Sequence, residues 1–223
     1  MVDMNKLLGQ LLGSGAASGF AGGLAGGLAS SMLSGKKGRK LGKKALKLGG
    51  VAAVGALAYT AYQRYTNQNS KVDFPATPAT PAELAAVPQG TAFMPEESDV
   101  AANEALGLTL VRAMIAVARA DGRLDALESQ AIFEKIQSLG LDHESQALLV
   151  EEMSHPVDMD AIVNSATSPE VAAEIYAASL LAVEVDTPAE KGYLAMLAAR
   201  LRLPAGLVVE LERQIEGQRV IAQ

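Results

Sequence analysis

The chain has 223 residues, with 19 Lys or Arg and 25 Asp or Glu, and its net charge at pH 7 is −6. It has no cysteine, which excludes disulfide bonds, thiolate nucleophiles and cysteine-based zinc sites. Its two histidines, His143 and His155, stand in no recognisable nucleophile or metal motif, which argues against an ordinary hydrolase or transferase. Aromatic residues make up only 4% of the chain, and long runs rich in Ala, Leu and Glu favour helix over strand.

The charges are divided unequally along the chain. Residues 1–71 carry 10 basic residues and one acid, Asp3, whereas residues 72–223 carry 9 basic and 24 acidic residues. The basic part also contains nearly all the long uncharged stretches, a combination typical of membrane attachment. We therefore expect a glycine-rich, basic, membrane-associated helical region over residues 1–66 and a separate acidic domain after it.

The first uncharged stretch covers residues 7–35, and a helical bilayer span needs only about 20 residues. Within it glycine recurs at every fourth position, at Gly15, Gly19, Gly23 and Gly27. In lipid this spacing lets two helices approach closely, so it predicts a membrane span that packs into a homo-oligomer. The alternative is a flexible tail, because each glycine destabilises a helix in water by about 1 kcal/mol.

A basic cluster follows directly. It consists of Lys36, Lys37, Arg39, Lys40, Lys43, Lys44 and Lys47. Such clusters beside an apolar segment bind anionic lipid headgroups and tend to stay in the cytoplasm. Nucleic acid is the weaker alternative as a ligand, because the cluster has no interleaved aromatic residues and the chain has no DNA-binding motif.

The second uncharged segment covers residues 48–63. As a helix it is roughly 24 Å long, against a bilayer core of about 30 Å, and the flanking Lys47 and Arg64 can reach the headgroups. The segment is therefore predicted as a second span. If both spans cross as a hairpin around a cytoplasmic basic loop, the acidic domain lies outside the cytoplasm; if only one inserts, that orientation can reverse.

A proline-rich linker separates the two halves. Residues 67–97 contain five of the nine prolines of the chain and the repeated sequence Pro-Ala-Thr. Proline at every third position favours an extended chain without internal hydrogen bonds. The linker is therefore interpreted as a spacer.

From residue 98 onward the apolar residues follow helical spacing, as at Leu106, Leu110 and Met114. Further helices are predicted over 126–139, 143–153, 169–184, 188–202 and 204–219. Ser168 before Pro169 is a helix-start signal, as is Thr187 with Glu190 three positions later, which is the spacing of a capping box. The fold class predicted for residues 98–223 is all-α, a compact helical bundle.

The bundle contains two similar halves. Aligning Glu128 with Glu190 places Ile132 on Leu194, and the apolar positions that follow also agree. Each half is therefore predicted to form a helix, an acidic turn and a second helix.

The acids of the two turns can be interpreted in two ways. Asp125 and Glu128, like Thr187 and Glu190, have the spacing of a capping box, which would account for them structurally. If the halves pack side by side, five carboxylates would gather enough oxygens for Ca²⁺ or Mg²⁺. These are Asp121, Asp125, Glu128, Asp186 and Glu190. An EF-hand is excluded, because Arg123 stands where that loop needs a ligand. Acid–base catalysis by paired carboxylates is a weaker alternative.

Two sequence stretches carry a family resemblance. Ala120-Asp121-Gly122 through Glu128, and Val185-Asp186 through Glu190, resemble the acidic turns of the tellurite-resistance TerB-like domain. With the glycine-rich, basic and apolar N-terminal region, the whole chain is similar to the YebE-like family of bacterial inner-membrane proteins of unknown function. The resemblance implies a helical fold related to the N-terminal domain of a membrane-anchored co-chaperone, with a role in divalent-metal or protein binding.

The sequence thus predicts a non-enzymatic adaptor anchored in the bacterial inner membrane. Its membrane ligands would be lipids, and its acidic helical domain would dock a protein partner, with an ion-dependent contact if the acidic turns bind metal. The net charge of the domain favours a basic partner surface. The alternative function is a stress-resistance protein that binds a divalent metal directly through the paired acidic turns.

Overall fold

The computed structural model of the chain describes residues 2–13, 50–67, 87–120, 142–183, 185 and 187–222. Within these ranges the chain forms eight helices and no strand. The first four are α1 (Met4–Gly13), α2 (Gly50–Asn67), α3 (Val100–Ala118) and α4 (His143–Ser154). The others are α5 (Met159–Asn164), α6 (Pro169–Ala182), α7 (Pro188–Arg200) and α8 (Ala205–Ala222). The predicted all-α class is confirmed.

Five of the helices begin at a side chain that accepts a hydrogen bond from a backbone N–H in the first turn. The capping residues are Asp99, Asp142, Asp158, Ser168 and Thr187. The helix starts predicted at Ser168 and Thr187 are confirmed. Helix α5 was not predicted, because six residues are too short to show helical periodicity.

Helices α3 and α6 pack against each other at the centre of the bundle. Leu110 and Val111 of α3 and Ile175 and Ala177 of α6 are fully buried. Helix α3 is also long and apolar enough to cross a bilayer, judged by length and composition alone. A buried core helix meets the same criteria, and α3 contributes to the hydrophobic core of this bundle.

Helix α2 is largely covered by other helices. It packs against α1, α6 and α8, and Val51, Val54, Ala58 and Ala61 are fully buried. The structure therefore does not confirm the predicted span over 48–63, because the apolar side chains that would face lipid contact the bundle instead. Helices α1 and α2 share one hydrophobic core with α3 and α6.

Helix α1 is amphipathic and lies against α2 and α3. Leu7 and Leu8 are fully buried, whereas Lys6 is exposed and its Nζ lies 3.5 Å from a carboxylate oxygen of Asp142. The approach to α2 requires glycine, because a Cβ on Gly50 would lie 2.1 Å from the Cβ of Leu8. Residues 7–13 of the first predicted span thus belong to α1, and residues 14–35 lie outside the described residues.

Candidate functional site

Most of the predicted acidic site lies outside the described residues, namely Asp121, Asp125, Glu128 and Asp186. Glu190 is described and buried, with 6% of its surface exposed. The N–H of Thr187 donates to Oε2 of Glu190 at 3.1 Å, and the N–H of Glu190 donates to Oγ1 of Thr187 at 3.1 Å. The capping box predicted here is confirmed.

The metal site stays a prediction. Within the ranges that the structure covers, no three His, Asp or Glu side chains come together in a way that could hold a metal ion. The glycine repeat at Gly15, Gly19, Gly23 and Gly27 lies outside the described residues. So does the basic cluster from Lys36 to Lys47.

Replacing the cap at the start of α7 gives a first testable prediction. Thr187→Ala removes the acceptor for the Glu190 N–H, and we expect it to lower the free energy of unfolding by about 1 kcal/mol. Urea denaturation measures the loss. Thr167→Ala is the control, because Thr167 is exposed and lies outside the caps described above. Equal losses in the two variants would contradict a stabilising capping box.

A cleft of about 270 Å³ lies between α3, α4 and α5. Ile115 and Ala116 of α3 and Ile162 of α5 give it an apolar lining, and all three are buried. Val157, in the connection between α4 and α5, lines the cleft and is 39% exposed. The cleft therefore offers an apolar surface that a ligand can reach from solvent.

Two arginines line the cleft and fix α4 beside it, Arg112 of α3 and Arg119 directly after α3. Arg112 binds Glu152 through two hydrogen bonds, from Nε to Oε2 at 2.8 Å and from Nη2 to Oε1 at 2.6 Å. The hydrogen bond to Glu152 raises the pKa of the Arg112 guanidinium. Nη1 of Arg119 donates to the backbone oxygens of Met153 at 3.0 Å and His155 at 2.6 Å, so it satisfies carbonyls at the end of α4. These contacts hold the walls of the cleft in place.

The sequence beside the cleft is strongly acidic. Residues 142–160 contain six acids and no Lys or Arg. The acids are Asp142, Glu144, Glu151, Glu152, Asp158 and Asp160. Hydrogen bonding by Ser145 holds the pKa of Asp142 below its ordinary value, which favours the ionised form. Sequence reasoning missed the cleft, although this run of acids could have indicated a charged surface there.

A second polar feature is the side chain of Glu174 on α6. It is fully buried, and neither carboxyl oxygen has a hydrogen-bond partner among the described residues. Its Oε1 lies over the bare backbone of Gly55 in α2: a Cβ at that glycine would be 2.9 Å from this oxygen and 3.0 Å from the carbonyl oxygen of Phe93. Burial raises the pKa of Glu174 well above its ordinary value. Its signal in the sequence is an acid in mid-helix whose immediate neighbours, Ala173 and Ile175, are apolar.

The stability of the chain should depend on pH through Glu174. Because the folded state raises this pKa, the folded chain holds a proton that the unfolded chain releases, so stability falls as pH rises above about 4.5. Glu174→Gln removes this dependence and should stabilise the chain at pH 8 more than at pH 5, because the amide carries no charge at either pH. Chemical denaturation at pH 5 and pH 8 measures the effect. Glu97→Gln, at an exposed acid, is the control; an equal effect of both variants would contradict the prediction.

The sequence model of the family described as "Protein of unknown function (DUF533)" matches residues 18–215. A protein of Yersinia enterocolitica described as "Uncharacterized protein in ampR 5'region" is 24% identical over 110 residues, which are 49% of this chain and 79% of that protein. No solved structure matches the chain. The matched range contains α2 to α7 and the cleft, and on this match the chain belongs to the DUF533 family.

Proposed function

We propose that the chain is a non-enzymatic adaptor of the bacterial inner membrane that docks a protein partner in the cleft between α3, α4 and α5. The observation that carries the proposal is an apolar cleft whose lining includes the carboxylates of Glu152 and Asp158, with further acids in the same segment, 142–160. Binding energy at protein interfaces concentrates where an anchor fills a desolvated pocket, and surrounding charges select the partner. The partner segment therefore carries an aliphatic side chain flanked by Lys or Arg.

The contacts of α4 make the cleft suitable for docking. The bidentate pair of Arg112 and Glu152 joins α3 to α4, and Arg119 joins α3 to the end of α4. A site with fixed walls loses less conformational freedom on binding than a mobile one. This rigidity supports a docking role.

The membrane attachment rests on the sequence. Residues 14–35 are uncharged and still number more than the roughly 20 that a span requires, and the basic cluster from Lys36 to Lys47 follows them. We propose no membrane span for α2, because the apolar residues of α2 pack in the bundle. The resemblance to YebE-like inner-membrane proteins and to TerB-like domains supports the same assignment.

Site-specific photocrosslinking in cells tests the docking site. A crosslinker at Val157 should trap one protein partner, and a crosslinker at Met196, which is 50% exposed on α7, should not. Ala161→Lys places a positive charge in the cleft and should reduce the Val157 adduct by about tenfold. Ala199→Lys, on the exposed face of α7, is the matched control and should leave the adduct unchanged. An adduct that survives Ala161→Lys would refute docking in the cleft.

Cell fractionation tests the attachment separately. Deleting residues 14–35 should move the chain from the membrane fraction to the soluble fraction at high salt, because the basic cluster that remains binds lipid only electrostatically. Gln substitutions at the five exposed acids of 142–160 are the control and should leave the chain in the membrane fraction. Unchanged fractionation of the deletion variant would refute a span over residues 14–35. Protease digestion of a C-terminal epitope in intact spheroplasts then identifies the side of the membrane.

A further inference from the structure

The connection between α4 and α5, residues 155–158, forms one rim of the cleft. All four residues are exposed, and all four line the cleft. The backbone is extended at both ends of the connection, with φ and ψ of −77° and 147° at His155 and of −111° and 90° at Asp158. The cleft is therefore bordered by a short stretch of extended chain that solvent can reach.

Val157 has free backbone groups in this connection. Neither its N–H nor its carbonyl oxygen forms a hydrogen bond with another residue in the described part of the chain. The other three residues differ from it. Pro156 has no N–H, and the carbonyl oxygens of His155 and Asp158 accept hydrogen bonds from an arginine side chain and from a helix N–H. Of these four residues, Val157 therefore has both a backbone donor and a backbone acceptor to offer.

We propose that the partner segment binds in an extended conformation and exchanges two antiparallel backbone hydrogen bonds with Val157. A segment that fills the cleft removes water from its rim, and a backbone group that is buried without a partner weakens binding. A helix uses its backbone groups for its own hydrogen bonds, so it has none for Val157. An extended segment presents both a donor and an acceptor. This binding mode rests on the docking proposed above and adds to it the conformation of the partner.

The pairing also determines which partner side chains meet the cleft. Directly opposed residues of an antiparallel pair have their side chains on the same face, so an aliphatic residue opposite Val157 would contact the apolar lining at Ile115 and Ile162. Residues two positions apart in an extended segment share that face. A Lys or Arg at this spacing would lie near Asp158, whose exposed carboxylate is held by the N–H of Ala161 at 2.9 Å. The partner segment thus carries an aliphatic residue and a basic residue two positions apart.

Photocrosslinking in cells with the full chain tests the pairing. A crosslinker at Thr109, which lines the cleft from α3, should trap the partner on the natural chain. Val157→Pro removes the N–H and should reduce this adduct at least about fivefold, because a carbonyl oxygen of the partner then lies buried without a donor. Val157→Ile is the matched control, since it keeps both the N–H and an aliphatic side chain, and it should leave the adduct unchanged.

The outcomes separate the pairing from docking itself. A full adduct in Val157→Pro, or an equal loss in Val157→Ile, would overturn the pairing and leave docking in the cleft intact. The absence of any adduct from Thr109 and from Val157 on the natural chain would contradict docking and the pairing together. If Val157→Pro does not fold, hydrogen exchange of the natural chain decides. The Val157 amide should exchange at least about tenfold more slowly in the purified Thr109 adduct than in the free chain, and an unchanged rate would overturn the pairing.

Discussion

Glu210→Ala is expected to destabilise the chain by about 1–3 kcal/mol, because it removes a buried carboxylate that lies beside Arg64 and accepts a hydrogen bond from Gln214. Glu210 of α8 is 2% exposed, and its Oε1 lies 4.0 Å from Nη1 of Arg64, the buried arginine of α2. Nε2 of Gln214 donates to Glu210 at 2.7 Å, and Arg213 also binds this carboxylate. The carboxylate of Glu210 therefore contacts both the guanidinium of Arg64 on α2 and polar side chains of α8.

Urea denaturation measures this effect, with Glu151→Ala as the control on the exposed face of α4. The control should change the free energy of unfolding by less than about 0.5 kcal/mol. Arg64→Met combined with Glu210→Leu should recover much of the loss, because well-packed apolar residues often replace a buried ion pair without cost. If Glu210→Ala behaves like the control, the Glu210 carboxylate does not stabilise the packing of α8 on α2.

Gly50→Ala is expected to destabilise the chain by about 1–3 kcal/mol through overpacking. A Cβ at this position would lie 2.2 Å from the backbone N of Gly9 and 2.3 Å from the carbonyl carbon of Leu8. Backbone atoms cannot rotate away as a flexible side chain can, so α1 must shift from its place on α2. The shift would expose Leu7 and Leu8, which are fully buried in the intact bundle.

Gly192→Ala is the matched control, since no atom lies within 4 Å of a Cβ at that exposed position in α7. It should stabilise the chain by about 0.5–1 kcal/mol, because alanine favours a helix over glycine. The two substitutions are chemically identical and should have opposite signs. Thermal unfolding, together with limited proteolysis after Lys6, measures the stability and the release of α1. A stabilising effect of Gly50→Ala would show that α1 does not dock on α2.

Interactions between residues close together in the chain allowed part of the fold to be predicted from the sequence. A capping side chain followed by proline marks the helix starts at Ser168 and Thr187. The predicted helix over 143–153 differs by one residue from α4. Caps and periodicity act between residues a few positions apart, so they need no knowledge of the rest of the chain. The same reasoning identified the capping box at Glu190.

The candidate sites depended on contacts between distant parts of the chain. The cleft needs α3, α4 and α5 together, and the burial of Glu174 follows from the packing of α6 on α2 and on the turn that carries Phe93. Nothing within a few residues of Glu174 shows that Gly55 will lie opposite it. Sequence reasoning therefore placed its candidate site in the acidic turns and missed both of these features.

The sequence by itself determined the helical class, the caps at Ser168 and Thr187 and the division between a basic and an acidic half. It did not determine what covers residues 48–63, because an apolar helix is compatible with lipid and with a protein core. The tertiary structure buries α2 against α1, α6 and α8, where Arg64 also meets Glu210. Hydrophobic burial has no direction of its own, so the choice of partner for an apolar face comes from the shape and polar groups of the elements around it.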